Sequence, residues 1–395
     1  MKPVISILAV NTGSSSIKFS LYESGVVDEL LFSGSITRIG LKTGRFSVTD
    51  QEGNFIDCEK VEVPDHEAAC KHVFSWVQTH GHGVPDAIGH RIVHGGPRHN
   101  APEKVTTELL TSIEELSPYA PEHLPQAVKA IRYAAVMFPG VLQVACFDTA
   151  FHRTLPPVAQ IYPIPELYRS EGVQRYGFHG LSYEYILGEL VARREKVARK
   201  GRLIFAHLGH GASMAALRDG RSIETTMGFS PAGGLVMGTR TGDLDPGVIL
   251  FLLQQERLTP GELRDMVNRK SGLLGVSGIS DDMRDLLEAE TREESAHAAI
   301  ELFCYQARKQ IGALSAVLGG LDMLVFTGGI GEQAAGIRLR ICEGLEFLGI
   351  RIDPQKNSGN LEVISPDSGP VSVRVMKTNE ELMIVRQTRR VIEGS

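Results

Sequence analysis

The feature that most limits the possible folds is a unit made of an apolar strand, a polar turn and a second strand, which occurs twice. The first copy covers residues 4–23 and turns at 11–16, and the second covers 203–218 and turns at 209–213. A shift of 196 residues places Gly13 on Gly209 and Leu21 on Leu217, in a chain of 395 residues. A hairpin that contains glycine is common, but an offset of half the chain predicts a duplicated domain.

The remaining pattern alternates strands with helices. Apolar runs predict strands at 87–93, 142–147 and 323–326, and helical periodicity predicts helices at 122–136, 183–194, 296–318 and 337–348. The 42 glycines cluster after apolar runs, where a chain that leaves a strand turns tightly or meets a ligand. We therefore predict an α/β fold in two similar halves, with a site built from several loops. Residues 45–85 and 255–295 give no assignment.

Charge and cysteine content exclude several classes of protein. A net charge of −6 provides no positive field toward nucleic acid or an anionic membrane surface, so neither is an expected partner. The apolar run at 4–10 is too short to span a membrane and is predicted to be a buried strand. Five scattered cysteines without a C-x-x-C pair indicate neither a disulfide framework nor a zinc site. A cytoplasmic protein is expected.

Two glycine-containing loops are candidates for phosphate or nucleotide binding. Residues 11–18 combine backbone N–H groups with an amide, several hydroxyls and Lys18, which suits phosphate oxygens and a metal ion. This is not a Walker A loop, and a solvated hairpin turn remains the alternative. Residues 325–332 resemble a loop between a strand and a helix that admits a nucleotide against its backbone. The wide separation of these two loops along the chain suits a ligand in a cleft between two domains.

Several charged residues follow apolar runs. Arg91 and Arg240 each offer a planar, bidentate grip on phosphate or carboxylate, although a structural ion pair is the simpler explanation for either. Asp148 and His179 also lie at the ends of such segments. The simpler alternatives are that Asp148 caps the next turn and that His179 has a structural role. Residues 378–381 fit either a helix capping box or a carboxylate placed to hold Mg²⁺.

Taken together, these segments resemble the acetokinase family, in the superfamily of actin, sugar kinases and heat-shock ATPases. The matching segments follow the family's order over nearly the whole chain: NTGSSSIKFSLY at 11–22, GHRIVHGG at 89–96, FDTAFH at 147–152, RYGFHG at 175–180, HLGHGAS at 207–213, MGTRTGDLDPG at 237–247, FTGGIGE at 326–332 and TNEEL at 378–382. The resemblance implies reversible phosphoryl transfer between ATP and acetate, or another short carboxylate, with Mg²⁺ as the metal and Mn²⁺ as its alternative. It also implies a homodimer.

The same resemblance implies a domain organisation and a set of site residues. It implies two duplicated actin-like ATPase domains of ribonuclease H type, at 1–148 plus 382–395 and at 149–381, with a nucleotide cleft between them. The implied roles are metal association for Asn11 and Glu380; phosphate binding for Ser14, Ser16 and Lys18; phosphoryl neutralisation or orientation for Arg91, Arg240, His179 and Asp148; nucleotide binding for His207, Leu208, Gly209, His210, Gly211, Asp282, Met283, Arg284, Gly328, Gly329, Ile330, Gly331 and Glu332; and an acyl pocket for Arg91, Val93, Phe178 and Pro231.

Acid–base chemistry is consistent with this assignment. A carboxylic acid with a pKa of about 4 to 5 is ionised at pH 7, so the nucleophile needs no general base. We therefore interpret Asp148 as a residue that orients an arginine or the metal's ligands. Glu122, Leu124 and His210 depart from the family pattern. They leave open a kinase for propionate or butyrate, or a pyrophosphate-dependent relative, while a non-catalytic ATP-binding switch is a more distant alternative.

Overall fold

The computed structural model describes residues 3–80 and 83–394, which form two compact units. The first unit contains the chain through Phe151, Gly180–Tyr185 and the chain from Asn379 onward. The second contains His152–His179 and Ile186–Thr378. The predicted domain bounds of 1–148 plus 382–395 and 149–381 remain a prediction, and their ends at Met1 and Ser395 lie outside the described residues. None of the described helices is long and apolar enough to cross a membrane.

Strands and helices are mixed along the chain, as the sequence predicts, but they often occur in runs, and five strands precede the first helix in the described part of the chain. The strands are β1 Ile5–Thr12, β2 Ser16–Ser24, β3 Asp28–Thr37, β4 Gly44–Asp50, β5 Phe55–Val61, β6 Ala87–Ile92, β7 Glu103–Lys104, β8 Leu142–Phe147, β9 Arg202–Leu208, β10 Ala212–Arg218, β11 Arg221–Thr225, β12 Met323–Thr327 and β13 Ser372–Val375. The α-helices are α1 His66–His80, α2 Thr107–Glu115, α3 Leu124–Met137, α4 Pro157–Gln160, α5 Glu166–Ser170, α6 Gly180–Ala192, α7 Lys196–Lys200, α8 Pro246–Gln254, α9 Pro260–Arg269, α10 Gly272–Ser277, α11 Met283–Ala289, α12 Glu294–Leu318, α13 Gly328–Gln333, α14 Ala335–Cys342, α15 Pro354–Ser358 and α16 Glu380–Glu393. Short 3₁₀ helices cover Ser117–Tyr119, Asp148–Thr154 and Glu346–Leu348.

The two sheets share one strand order. In the first unit the order is β5-β4-β3-β2-β1-β6-β8-β7, and in the second it is β11-β10-β9-β12-β13. The part β3-β2-β1-β6-β8 of the first sheet matches the whole second sheet: three antiparallel strands are followed by two strands that run parallel to β1 or to β9. The first sheet adds β4 and β5 to its antiparallel part and β7 beyond β8. The predicted hairpins at 4–23 and 203–218 occupy the same place in their sheets, which confirms the duplicated α/β fold.

Two predictions from the sequence differ from the structure. The helix predicted at 337–348 ends at Cys342, because Gly344 adopts a left-handed φ of 81° and a 3₁₀ turn follows. In the predicted capping box at 378–381, the residue that caps α16 is Asn379 and not Thr378: Asn379 Oδ1 accepts a hydrogen bond from the backbone N–H of Leu382 at 2.8 Å. The unassigned stretch 45–85 contains β4, β5 and α1, and β5 lies mostly exposed at the sheet edge.

Candidate functional site

Three neighbouring strands of the first unit bring polar side chains to one edge of the sheet. β1, β6 and β8 run parallel, so their carboxyl ends meet. Asn11 lies near the end of β1, Arg91 near the end of β6, and Asp148 directly after β8. The carboxyl ends of strands are the usual ligand edge of an α/β sheet.

Arg91 connects these groups. Its Nε donates to both carboxylate oxygens of Asp148 at 3.2 and 3.1 Å, and its Nη2 donates to Oδ2 at 2.6 Å. Its Nη1 donates to Asn11 Oδ1 at 3.0 Å and lies 3.4 Å from Glu380 Oε2. One edge of the guanidinium thus grips Asp148, while the other faces the amide and the glutamate.

The ion pair between Arg91 and Asp148 is largely buried, which strengthens the attraction between the two charges. The Asp148 side chain has 0% exposure and that of Arg91 has 16%. Burial by itself lowers the pKa of Arg91, but the nearby carboxylates, Asp148 before Glu380, outweigh it and raise the pKa above its usual value. Arg91 is therefore a permanent cation, oriented by a fully buried carboxylate.

The start of α16 adds two carboxylates to the same cluster. Asn11 Nδ2 donates to Glu380 Oε2 at 3.0 Å and to Glu381 Oε1 at 3.1 Å. Both glutamates lie in the first turn of α16, where the helix dipole favours negative charge. Glu381 belongs to the stretch 378–381 predicted to cap a helix or to hold Mg²⁺, but the family resemblance implied a metal role for Glu380 and not for Glu381.

The oxygens of this cluster suit a hard divalent cation. Mg²⁺ commonly takes one or two protein carboxylates and completes its shell with water and substrate phosphates. Glu380 and Glu381 offer that type of donor, whereas Asn11 turns its Nδ2 toward the two glutamates and its oxygen toward Arg91. Within 3–80 and 83–394, no group of three or more His, Cys, Asp or Glu side chains could hold a metal ion. A metal at this edge would therefore need ligands from bound substrate or water.

The loop between β1 and β2 presents its side chains to solvent. Gly13 N–H bonds to Ser16 O at 2.8 Å and closes the turn. Ser14 and Lys18 are exposed, and Ser16 is half-buried. The hydroxyls and the ammonium group predicted to bind phosphate are thus accessible.

In the second unit, a histidine and an arginine lie against one glycine. A Cβ built on Gly211 would come 3.0 Å from Arg240 Nη2 and 3.2 Å from His179 Nε2. His179 has a left-handed φ of 58°, which is unusual for a residue other than glycine. Its Nδ1 is hydrogen-bonded to Ser213 Oγ at 2.8 Å, and its ring stacks on His207 with centroids 4.3 Å apart. Ser213 was missed in the sequence, although it ends the HLGHGAS segment.

The predicted acyl-pocket residues are distributed over both units. Val93 is buried in the first unit, and Phe178 is buried in the second. Pro231 is half-buried, and its carbonyl accepts a hydrogen bond from Arg240 Nη1 at 2.8 Å. Pro231 therefore also orients one of the two predicted arginines.

The glycine-rich segment after β12 packs against the end of β9. Gly328 has a φ of 76°, and a Cβ there would come 2.8 Å from Leu208 O. A Cβ on Gly209 would lie 3.7 Å from Gly329 N. The two predicted nucleotide segments, 207–211 and 328–332, are therefore neighbours, and a side chain at Gly328 would clash with the backbone at the end of β9.

Glu332 anchors the start of this segment. Its Oε1 accepts hydrogen bonds from Thr327 Oγ1 at 3.3 Å, Gly328 N at 3.0 Å and Thr378 N at 3.1 Å. Its carboxylate thus holds the loop backbone, which the sequence did not predict.

The third predicted nucleotide segment, 282–284, adjoins the first through His210. His210 Nε2 is hydrogen-bonded to Asp281 Oδ2 at 2.9 Å. Asp282 caps α11 and pairs with Arg284 at 2.6 Å, and the Arg284 side chain is 86% exposed. Met283 is buried, so its side chain packs in the core.

Comparisons with known proteins agree along the length of the chain. Residues 6–386 match the model of the Acetokinase family. The chain is 46% identical to an acetate kinase of Rhodopseudomonas palustris over 98% of both chains. It is 42% identical to an acetate kinase of Thermotoga maritima, again over 98% of both chains.

Two solved structures share the fold at moderate identity. The crystal structure of Porphyromonas gingivalis acetate kinase has a TM-score of 0.87 at 36% identity and covers 98% of this chain and 100% of its own. A propionate kinase from Francisella tularensis has a TM-score of 0.90 at 36% identity with the same coverage. With a family match over nearly the full length and relatives well above 30% identity, this chain belongs to the acetokinase family.

Proposed function

We propose that this protein is an acetate kinase, which transfers a phosphoryl group reversibly from ATP to acetate and forms acetyl phosphate and ADP. The observation that carries the proposal is the full-length similarity to acetate kinases at 41–46% identity. Membership of the family makes the chain a phosphotransferase with a carboxyl group as acceptor. ATP and ADP are its co-substrates.

The network around Arg91 supports a mechanism without a general base. Acetate is ionised at neutral pH and attacks the γ-phosphorus directly, while ADP leaves with the electrons of the broken P–O bond. The main catalytic requirement is neutralisation of the negative charge on the transferring phosphoryl oxygens. Arg91, held by Asp148, is suited to that role. We assign Asp148 to the orientation of Arg91, because both of its carboxylate oxygens accept hydrogen bonds from the guanidinium.

The second unit would supply further phosphoryl contacts and the nucleotide contacts. Arg240 and His179 both lie against Gly211, and we assign both to the phosphoryl group. We assign the adjacent segments 207–211, 282–284 and 328–332 to the nucleotide. Ser14, Ser16 and Lys18 of the first unit are assigned to phosphate oxygens. Val93, Phe178 and Pro231 are assigned to the acyl group.

A divalent cation fits the donors at the start of α16. We propose Mg²⁺, with Mn²⁺ as an alternative, held by Glu380 and Asn11 directly or through water. When bound, the metal would supply charge neutralisation to the nucleotide phosphates. Asn11 already contacts Arg91, so one amide would connect the cation site with the phosphoryl-binding arginine.

A homodimer is proposed because α8 is unusually apolar for an exposed helix. Residues 248–253 are six consecutive apolar residues, yet no described residue of α8 is buried within a single chain. Helices that are apolar on all sides are normally covered. We propose a second copy as the covering partner. Asp243 and Asp245 precede the helix and Arg257 follows it, so antiparallel pairing would bring opposite charges together.

The dimer can be tested by sedimentation of Phe251→Asp, with Phe347→Asp as the control. Phe251 is 52% exposed on α8 and Phe347 is 79% exposed elsewhere. Only the first substitution should produce monomers. Dimers that persist in Phe251→Asp would exclude α8 as the dimer interface.

A cytoplasmic location is also proposed, in keeping with five cysteines that are all free thiols.

The activity can be tested with purified protein and a panel of short acids. Acetate, propionate and butyrate are each incubated with ATP and Mg²⁺, and the acyl phosphate is trapped by hydroxylamine as a hydroxamate. We expect acetate to give the highest kcat/KM and pyrophosphate to be inactive in place of ATP. A preference for a longer acid would favour the alternative represented by the propionate kinase relative.

A further inference from the structure

A fully buried arginine supports the segment that we assign to the nucleotide. The Arg338 side chain, on α14, is 0% exposed and is the largest of the fully buried side chains. Its Nε donates to Asn357 Oδ1 at 2.9 Å, and its Nη2 donates to Asn357 O at 3.1 Å and Asn360 Oδ1 at 2.8 Å. Its Nη1 donates to Gly331 O at 2.9 Å and Glu332 O at 3.0 Å. A guanidinium has five N–H donors, and all five are used.

All five acceptors are uncharged. Among the described residues, no carboxylate forms a salt bridge with Arg338, whereas Arg91 contacts Asp148 and Glu380. Burial accordingly lowers the pKa of Arg338 from its usual value. Burying an unpaired cation costs free energy that neutral acceptors offset only in part. A methionine or leucine would fill a core position on α14 without that cost, so packing alone does not account for an arginine.

The position of its acceptors indicates its role. Gly331 O and Glu332 O lie at the end of the segment 328–332, and the Glu332 carboxylate already anchors the start of that segment at Gly328 N. The remaining acceptors belong to Asn357 and Asn360, in and just after α15. Arg338 therefore ties the far end of the glycine-rich segment to a separate part of the second unit.

We propose that Arg338 is a positioning residue that fixes the backbone of 328–332 in the conformation that receives the nucleotide. It acts through Gly331 and Glu332, and it does not itself touch ATP. This role rests on the nucleotide assignment made above. It predicts that weakening the network lowers nucleotide affinity and leaves the KM for acetate unchanged, because no atom of the network belongs to the acyl-pocket residues.

Asn360 allows a test that leaves the buried arginine in place. It is an exposed residue with a φ of 52°, a left-handed conformation that glycine and aspartate both accept. Asn360→Gly removes one acceptor of Arg338, and Asn360→Asp keeps an acceptor oxygen at the same place. Arg340→Gln is the control on α14, since Arg340 pairs with Glu290 at 2.6 Å away from this network. Arg338→Lys is the direct variant, used if it folds.

The readouts are ADP affinity by calorimetry, which needs no turnover, and separate KM values for ATP and acetate. Asn360→Gly should raise the Kd for ADP about threefold and Arg338→Lys tenfold or more, because the loop loses part of its preorganisation. Asn360→Asp and Arg340→Gln should stay within about twofold, and the KM for acetate should not change in any variant.

Unchanged ADP affinity in a folded Asn360→Gly and Arg338→Lys would overturn the proposal, as would an equal rise in the KM for acetate. Wild-type protein that fails to bind ADP would instead contradict the proposed function. The two failures are therefore distinguishable.

Discussion

If Asp148 acts only by orienting Arg91, the two residues should behave as a single unit. The test is a double-mutant cycle made of Arg91→Ala, Asp148→Asn and the double variant. Three contacts of 2.6–3.2 Å join the two side chains, and Asp148 has 0% exposure. The cycle measures both stability and rate, and the structure sets an expectation for each.

For stability, Arg91→Ala should be the most damaging change. It leaves a fully buried carboxylate without its arginine, which typically costs about 3–5 kcal/mol. Asp148→Asn should cost about 2 kcal/mol, since Arg91 is partly exposed and keeps Glu380 nearby. The double variant should be more stable than Arg91→Ala, because it removes the unpaired charge. Urea unfolding of the four proteins gives the coupling free energy, which we expect to exceed about 2 kcal/mol.

For catalysis, each single variant should lower kcat by about 10²-fold or more, because a charge on the phosphoryl oxygens is lost or misplaced. The double variant should be no slower than Arg91→Ala. If Asp148 instead removed a proton or contacted the substrate, its loss would remain costly without Arg91. Multiplicative losses that approach about 10⁴-fold in the double variant would refute the orienting role.

Three further predictions concern the metal, pH and acid specificity. Glu380→Gln should raise the Mg²⁺ concentration needed for half-maximal rate more than it raises the KM for acetate, and an unchanged Mg²⁺ dependence would exclude Glu380 as a ligand. Burial lowers the pKa of His90 to about 4. In the unfolded chain His90 therefore becomes protonated near pH 6.5, whereas in the folded chain it stays neutral until the pH approaches 4. His90 by itself should lower the free energy of unfolding by about 3 kcal/mol as pH drops from 6.5 to 4. His90→Gln should make the fall of the unfolding free energy with decreasing pH less steep. An equally steep fall in this variant would contradict the lowered pKa of His90. Glu122→Leu should leave the KM for acetate within about threefold if its side chain is solvated, whereas a large improvement would show that it faces the acyl group.

Much of the fold was predictable because its strands are bounded apolar runs. The strand predicted at 142–147 matches β8, and both hairpins lie where the half-chain offset placed them. The stretch 45–85 was not predictable, because β5 is an exposed edge strand and β4, which lies between β3 and β5, buries only Phe46 and Val48 among its large apolar side chains. The bounds of the units depend on tertiary contacts as well, since Gly180–Tyr185 packs with the first unit.

The candidate site divides in the same way. Motifs pointed to Asn11, Arg91 and Asp148, and the parallel strands bring all three together. Arg338 left no signal, because an arginine in a helical pattern normally indicates an exposed face. Three of its five hydrogen bonds go to Asn357 and Asn360, 19 and 22 residues further along the chain, and no local pattern encodes that arrangement.

The shared strand order means that one backbone arrangement serves two kinds of recognition. At the ends of β1 and β6 the first unit places Asn11 and Arg91, side chains that carry a dipole and a charge. At the ends of the matching strands β9 and β12 the second unit places His207 beside Thr327, and each is followed within two residues by glycine. Under the roles proposed above, the first copy would contact its ligand through side chains and the second, at these strand ends, through the backbone of its glycine segments. Substitutions that enlarge side chains should therefore be tolerated very differently at equivalent positions of the two sheets.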